Sequence, residues 1–118
     1  MDKEMKSSSN NVLFDPVIYQ MQAELCHSMG HPARLQIMHV LFEGPKNVGE
    51  IAEITELSQS TVSRNLAILR QTGIVLSERR GQEIYYQVSN PKIIEVCNMM
   101  RTVLAEQIMQ QSRMFPRS

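Results

Sequence analysis

Ser58 to Gly73 reads SQSTVSRNLAILRQTG, and this stretch decides the fold. Val62, Leu66 and Leu69, with Ile68 flanking, recur at spacings of four and three, which makes one buried stripe on a helix. The opposite face carries Gln59, Ser60, Thr61, Ser63, Arg64 and Asn65: short hydrogen-bonding groups and one cation, gathered in the first two turns. A helix that reads base edges presents such groups from its N-terminal half, whereas a merely solvated face favours Glu–Lys pairs. Ser58 is placed to cap the helix, without the Glu or Gln three residues on that completes a capping box. Gly73 ends it.

Upstream, Val48 to Ile54 reads as a short helix with Val48, Ile51 and Ala52 facing inward and Leu57 following. A tight turn between two short helices, the second rich in polar side chains, makes a helix-turn-helix. His31-Pro32 opens an earlier helix in which Leu35, Ile37, Met38, Val40, Leu41 and Phe42 are apolar almost all round, hence central; Gly44-Pro45 closes it. The first helix carries Ile18, Met21, Leu25 and Met29 on one stripe and stops at Gly30.

Downstream the period changes to two. Ile74 and Leu76, then Ile84, Tyr86 and Val88, alternate with polar residues around Arg79-Arg80-Gly81-Gln82-Glu83. Glycine first in a two-residue loop fits a type II′ hairpin turn. The hairpin is a wing with a basic tip, and Arg79, Arg80 and Gln82 join the candidate DNA-contacting set. Ser89 or Asn90 caps a long last helix, about 92–112, with Pro91 in its first position. Ile93, Cys97, Met100, Leu104 and Ile108 form its stripe, widened by Val96 and Val103. The winged core is complete without that stripe, so the first and last helices are expected to pair two copies into a homodimer.

The expected fold is therefore mainly α with a small β-hairpin: a winged helix-turn-helix of order α-α-α-α-β-β-α, dimeric through its first and last helices. The domain is expected over residues 12–112, with a disordered tail at 1–11 and a frayed one at 113–118. In 118 residues, 12 Lys and Arg balance 12 Asp and Glu, so the whole chain gives no nucleic-acid signal. The local distribution does: residues 58–82 hold Arg64, Arg70, Arg79 and Arg80 against Glu78, while residues 43–57 hold four glutamates against Lys46. No apolar run approaches the ~18 residues of a membrane span. The polar start MDKEMKSSSNN lacks the core of a secretory signal, and the two cysteines fit a reducing compartment; a cytoplasmic location is expected. Phosphate-binding loops, His-Glu-x-x-His and nucleophile elbows are all missing from the sequence, so no enzyme is expected.

The blocks HPARLQIMHVL, VGEIAE, LSQSTVSRNLAILRQTGIV and RRGQEIYYQV resemble the ArsR/SmtB family of dimeric bacterial winged-helix repressors, over about residues 16–110. The resemblance implies operator DNA as partner, contacts from Gln59, Ser60, Ser63 and Arg64, a wing at 79–82 reaching flanking backbone or minor groove, and release of DNA by an effector. Where many members have a histidine, this chain has Asn65, which leaves bidentate adenine readout open. Known effector sites do not transfer. Asn47-Val48-Gly49-Glu50 replaces the arsenic-sensing cysteines, Asn90, Lys92, Val103 and Glu106 stand where zinc ligands would be, and His39 and Ala105 stand at the persulfide-sensing positions.

What remains is Cys26 on the first helix and Cys97 on the last. A nearby thiol pair coordinates a soft metal or metalloid ion or is oxidised to a disulfide or polysulfide bridge; alternatively both are small buried hydrophobes and no cofactor is used. His27 and His31, near Cys26, form a further ligand set on paper with Cys97 as fourth member; turn and capping roles compete with it. Two rivals to the repressor stay open: a winged-helix protein-interaction module, and a constitutive DNA-binding protein without effector.

Overall fold

The computed structural model describes residues 12–114, with side chains to 111; the expected tail at 1–11 and residues 115–118 of the one expected at 113–118 lie outside the described residues. Asp15 caps α1 (Pro16–Met29): its carboxylate accepts from the Val17 N–H at 2.9 Å, and Pro16 takes the first position. Gly30 closes α1 by donating its N–H to the His27 carbonyl. α2 (Pro32–Leu41) also has proline in its first position, but the His31 side chain before it makes no capping hydrogen bond, against the capping role expected for it; the chain turns at Gly44, whose φ of 136° is open only to a residue without Cβ.

A two-residue strand, β1 (Lys46–Asn47), precedes α3 (Val48–Thr55). Asn47 ends the strand and starts the helix. Its side chain accepts from the Glu50 N–H at 2.8 Å while the Glu50 carboxylate accepts from the Asn47 N–H at 3.0 Å, a reciprocal capping box. The turn into α4 (Gln59–Gln71) passes through Glu56 in left-handed geometry, φ 64°. Such geometry costs a β-carbon-bearing residue roughly 1–2 kcal/mol, which the packed helices on either side hold in place. Ser58 caps α4, accepting from the Thr61 N–H at 3.1 Å. At the other end the Gly73 N–H (φ 81°) donates to the Arg70 carbonyl and the Ile74 N–H to the Leu69 carbonyl, a complete Schellman closure.

β2 (Val75–Arg80) and β3 (Glu83–Val88) pair antiparallel from Val75↔Val88 to Arg80↔Glu83, and β1 adds to the outer edge of β3 through Lys46↔Tyr86, giving the order β1-β3-β2. At the tip Gly81 has φ 66° and Gln82 is not in the positive region, as a type II′ turn requires. Two details correct the sequence reading. The hairpin gains a third strand, too short for any periodicity to announce. Its inward parity also begins at Val75, which is fully buried, while Leu76 is about half exposed. The cause is the Schellman closure: Ile74 is buried as the apolar anchor of the helix end, so alternation starts one residue later.

α5 (Pro91–Met114) runs past the expected end at 112. Asn90 caps it, accepting from the Lys92 N–H at 2.9 Å. Ser89 ties the hairpin's exit to its entrance, its hydroxyl donating to the Gly73 carbonyl at 2.6 Å. The core is Ile37, Met38, Val40 and Leu41 of α2, Ile51 of α3, Val62, Leu66 and Leu69 of α4, and Ile74 and Val75 at the hairpin's start. α2 is central, but not buried all round: Leu35 and His39 are exposed. Leu25 and Met29 of α1 and Ile93 and Cys97 of α5 pack on the core's margin, while Val17, Tyr19 and Met21 of α1 and Val96, Met99, Met100, Val103, Leu104 and Ile108 of α5 face outward. The architecture is a winged helix-turn-helix with two apolar-faced flanking helices.

Candidate nucleic-acid interface

The stripe that seats α4 fixes what its other face offers. Val62, Leu66 and Leu69 are fully buried, which turns Gln59, Ser60, Ser63 and Arg64 outward. Among the described residues the single ion pair is Arg80–Glu78, so Arg64, Arg70 and Arg79 carry their charge without a carboxylate partner. Arg70 reaches the wing at Ser77, and the free N–H groups of the first turn of α4 add a partial positive charge beside Gln59 and Ser60.

The ten sequence-predicted contact residues divide into two groups. Gln59, Ser60, Ser63, Arg64 and Gln82 are exposed with no hydrogen bond that draws them inward. Ser58 and Thr61 are committed to the helix start: the Ser58 hydroxyl donates to Thr61 Oγ1 at 2.8 Å while accepting from the Thr61 N–H. Asn65 departs furthest from expectation. Its Oδ1 accepts from Arg34 Nε at 3.0 Å and its Nδ2 donates to the Thr61 carbonyl at 2.9 Å, so both ends of the half-buried amide are engaged within the chain. Bidentate adenine readout would have to use the amide's second lone pair and second N–H from this held orientation, or break these bonds. Arg34 also donates through Nη1 to the Ser28 carbonyl at 2.9 Å, joining the end of α1 to α4. Nothing in the spacing of HPARLQ announces that role.

The wing arginines differ in the same way. Arg80 sits 4.8 Å above the Tyr85 ring and 3.4 Å from the Glu78 carboxylate, which moderates its charge. Arg79 points to the other face, the one shared with Ser77, where Arg70 of α4 donates to the Ser77 hydroxyl at 3.3 Å. The Arg79 guanidinium hydrogen-bonds the Gly81 carbonyl at 3.4 Å and no other group among the described residues.

A second place gathers chemistry on the far side of α2. A groove of about 460 Å³ opens between α1, α2 and α5, and both Cys26 and Cys97 line it, with Met29, Leu35, His39, Phe42, Met100, Arg101 and Leu104 among their neighbours. Both thiols are free; Cys26 is exposed and Cys97 half-buried. Burial pushes the Cys97 thiol above its ordinary pKa, with the Arg101 cation pulling weakly the other way. The His27 and His31 rings meet edge to face at 5.9 Å, but no cluster of three or more His, Cys, Asp or Glu side chains poised for a metal forms among the described residues. The four-ligand set drawn from the sequence is therefore not assembled within one chain. The asparagine–glutamate capping box was legible as N-x-x-E at Asn47–Glu50; the groove was not, because its walls come from three separate helices.

Residues 31–77 match the model of the bacterial regulatory protein, arsR family. The helix-turn-helix regulator Rv0081 of Mycobacterium tuberculosis is 35% identical over 89 residues, 75% of this chain and 78% of that protein, and its crystal structure superposes with a TM-score of 0.73 over 82% of this chain and 97% of that one. The transcriptional repressor PagR of Bacillus anthracis is 41% identical over 83 residues, 69% of this chain and 82% of the relative; its crystal structure gives a TM-score of 0.67 over 73% of this chain and 99% of that one. A homodimeric winged helix-turn-helix domain of Mycobacterium bovis, at 24% identity, shares the fold with a TM-score of 0.73 over 88% and 93% of the two chains.

Proposed function

The chain belongs to the ArsR family of bacterial transcriptional regulators, and from that premise we propose that it is a homodimeric repressor that binds a near-palindromic operator and leaves it in response to an effector. The observation that carries the DNA reading is the outward row Gln59, Ser60, Ser63 and Arg64, opposite a fully buried stripe on the same helix. Ser60 and Ser63 suit phosphates or base edges, and the planar guanidinium of Arg64 suits guanine or phosphate. Arg79 contacts the flanking backbone. Dimerisation buries the exposed apolar faces of α1 and α5 and sets the two reading helices about 34 Å apart, one helical turn of DNA. The homodimeric Mycobacterium bovis neighbour supports such an assembly for this fold.

The effector response is assigned to the groove that Cys26 and Cys97 both line. Thiol oxidation or a soft ion there would move α1 against α5, and with them the spacing of the reading helices. Cys26→Ser and Cys97→Ser are expected to bind DNA normally and to lose release by oxidant or arsenite; normal release from both would reject the thiol mechanism.

The test of the main reading is selection from a randomised duplex library. Wild-type protein should enrich an inverted repeat with half-sites one turn apart, and binding should fall steeply with salt. Arg64→Ala should lose about 1–3 kcal/mol of affinity with the dimer intact. A flat salt response, or no enriched sequence, would favour a protein-interaction module instead.

A further inference from the structure

The groove between α1, α2 and α5 has features that thiol chemistry does not use. Its walls are almost wholly apolar: Met29 of α1, Leu35 and Phe42 of α2, and Val96, Met100 and Leu104 of α5. Its volume of about 460 Å³ lies in the range of small-molecule sites. Val96, Cys97, Met100 and Leu104 recur along one stripe of α5, so the apolar floor runs about 12 Å along the helix. Its polar lining includes Gln36, His39 and Arg101, the last two in contact with each other. Arg101 has no carboxylate partner among the described residues; it touches only Asn98 Oδ1 at 3.4 Å and His39 Nδ1 at 3.5 Å. Arg101 Nη1 can only donate, so this contact makes His39 Nδ1 the acceptor and leaves Nε2–H as a second donor beside the guanidinium.

An apolar trough about 12 Å long with a guanidinium and an imidazole N–H at one edge matches one ligand class. We propose that this groove binds an amphipathic organic carboxylate, its chain along α5 and its head group on Arg101 and His39. The planar two-oxygen head suits a guanidinium fork, and the few donors at the margin fit a carboxylate better than a phosphate, which needs more. The site requires that a dimer partner meet α5 on its Met99–Val103 side, roughly a third of a turn around the helix from the Cys97–Leu104 stripe, and leave the groove open. Neither thiol has to react. That such a ligand is the effector rests on the regulatory reading above; that it binds does not.

Decanoate is the probe, below its aggregation concentration, titrated calorimetrically into the full-length protein without DNA, with decanol as the uncharged control. Saturable decanoate binding is expected, tighter than decanol. Arg101→Met should weaken decanoate about tenfold while leaving decanol unchanged. Met100→Trp, which fills the trough from an exposed position, should abolish both. No saturable binding, equal affinity for the acid and the alcohol, or an Arg101→Met variant that binds decanoate as wild type does would each overturn the proposal. So would loss of binding as protein concentration drives dimerisation, because the second copy would then fill the groove. A DNA-binding failure would not register in this titration, so the two readings fail separately.

Discussion

The reading head and the flanking helices handle the same kind of side chain in opposite ways. In α2, α3 and α4 the apolar residues are closed against one another: Ile37, Met38, Ile51, Val62, Leu66 and Leu69 have no accessible surface. In α1 and α5 they stay open: Met99 and Ile108 are more than half exposed, on a helix of 24 residues whose core-packing residues, Ile93 and Cys97, lie near its start. The first region is a finished fold within a single chain. The second is half of one, because burying that surface needs a second apolar face. The polar residues follow the same division. Those beside the core, such as Asn65 and Arg34, are engaged internally, and those beyond it are offered outward.

The contrast breaks hardest under truncation. Leu66→Ala leaves a cavity in a fully buried site and should cost about 2–5 kcal/mol in denaturant unfolding, whereas Leu104→Ala should change a dilute, monomeric chain by less than about 1 kcal/mol. Comparable losses would mean that α5 packs on its own chain. Val103→Glu should leave circular dichroism unchanged, produce monomers in sedimentation, and lower operator affinity by about a hundredfold or more through lost bivalency. A dimer that survives this change would place the interface elsewhere.

A finer test separates Asn65 from its neighbours on α4. Asn65→Ala removes two internal hydrogen bonds and leaves Arg34 Nε without its acceptor, so it should lower stability by about 1–3 kcal/mol. Arg64→Ala should lower DNA affinity at unchanged melting temperature. If Asn65→Ala instead weakens DNA binding alone, the amide leaves Arg34 and reads bases in the complex. The smallest effects concern the thiols. At neutral pH iodoacetamide should alkylate exposed Cys26 faster than half-buried Cys97. Because the folded protein raises the Cys97 pKa, it favours the neutral thiol. The stability this contributes is present below the thiol's ordinary pKa and is lost as pH climbs through the raised value. Cys97→Ser should flatten that alkaline decline.

What the sequence could determine by itself was local. The α4 stripe, the Pro and Gly punctuation, the Gly81 turn and the Asn90–Pro91 start each depend on chain neighbours within a turn or two, and each folds as its residues dictate. The winged order of helices and strands followed, as did the outward placement of Gln59, Ser60, Ser63 and Arg64. Tertiary structure decided whatever joins distant segments. β1 exists because Lys46 finds Tyr86, 40 residues on. Val75 rather than Leu76 faces inward because a helix closure claims Ile74. Asn65 is held within the chain because Arg34 lies within reach, and Cys26 and Cys97 share a groove because α2 brings α1 and α5 to its two sides. Periodicity reports which face of an element is apolar; only packing settles which partner that face meets, and therefore which polar groups are left free.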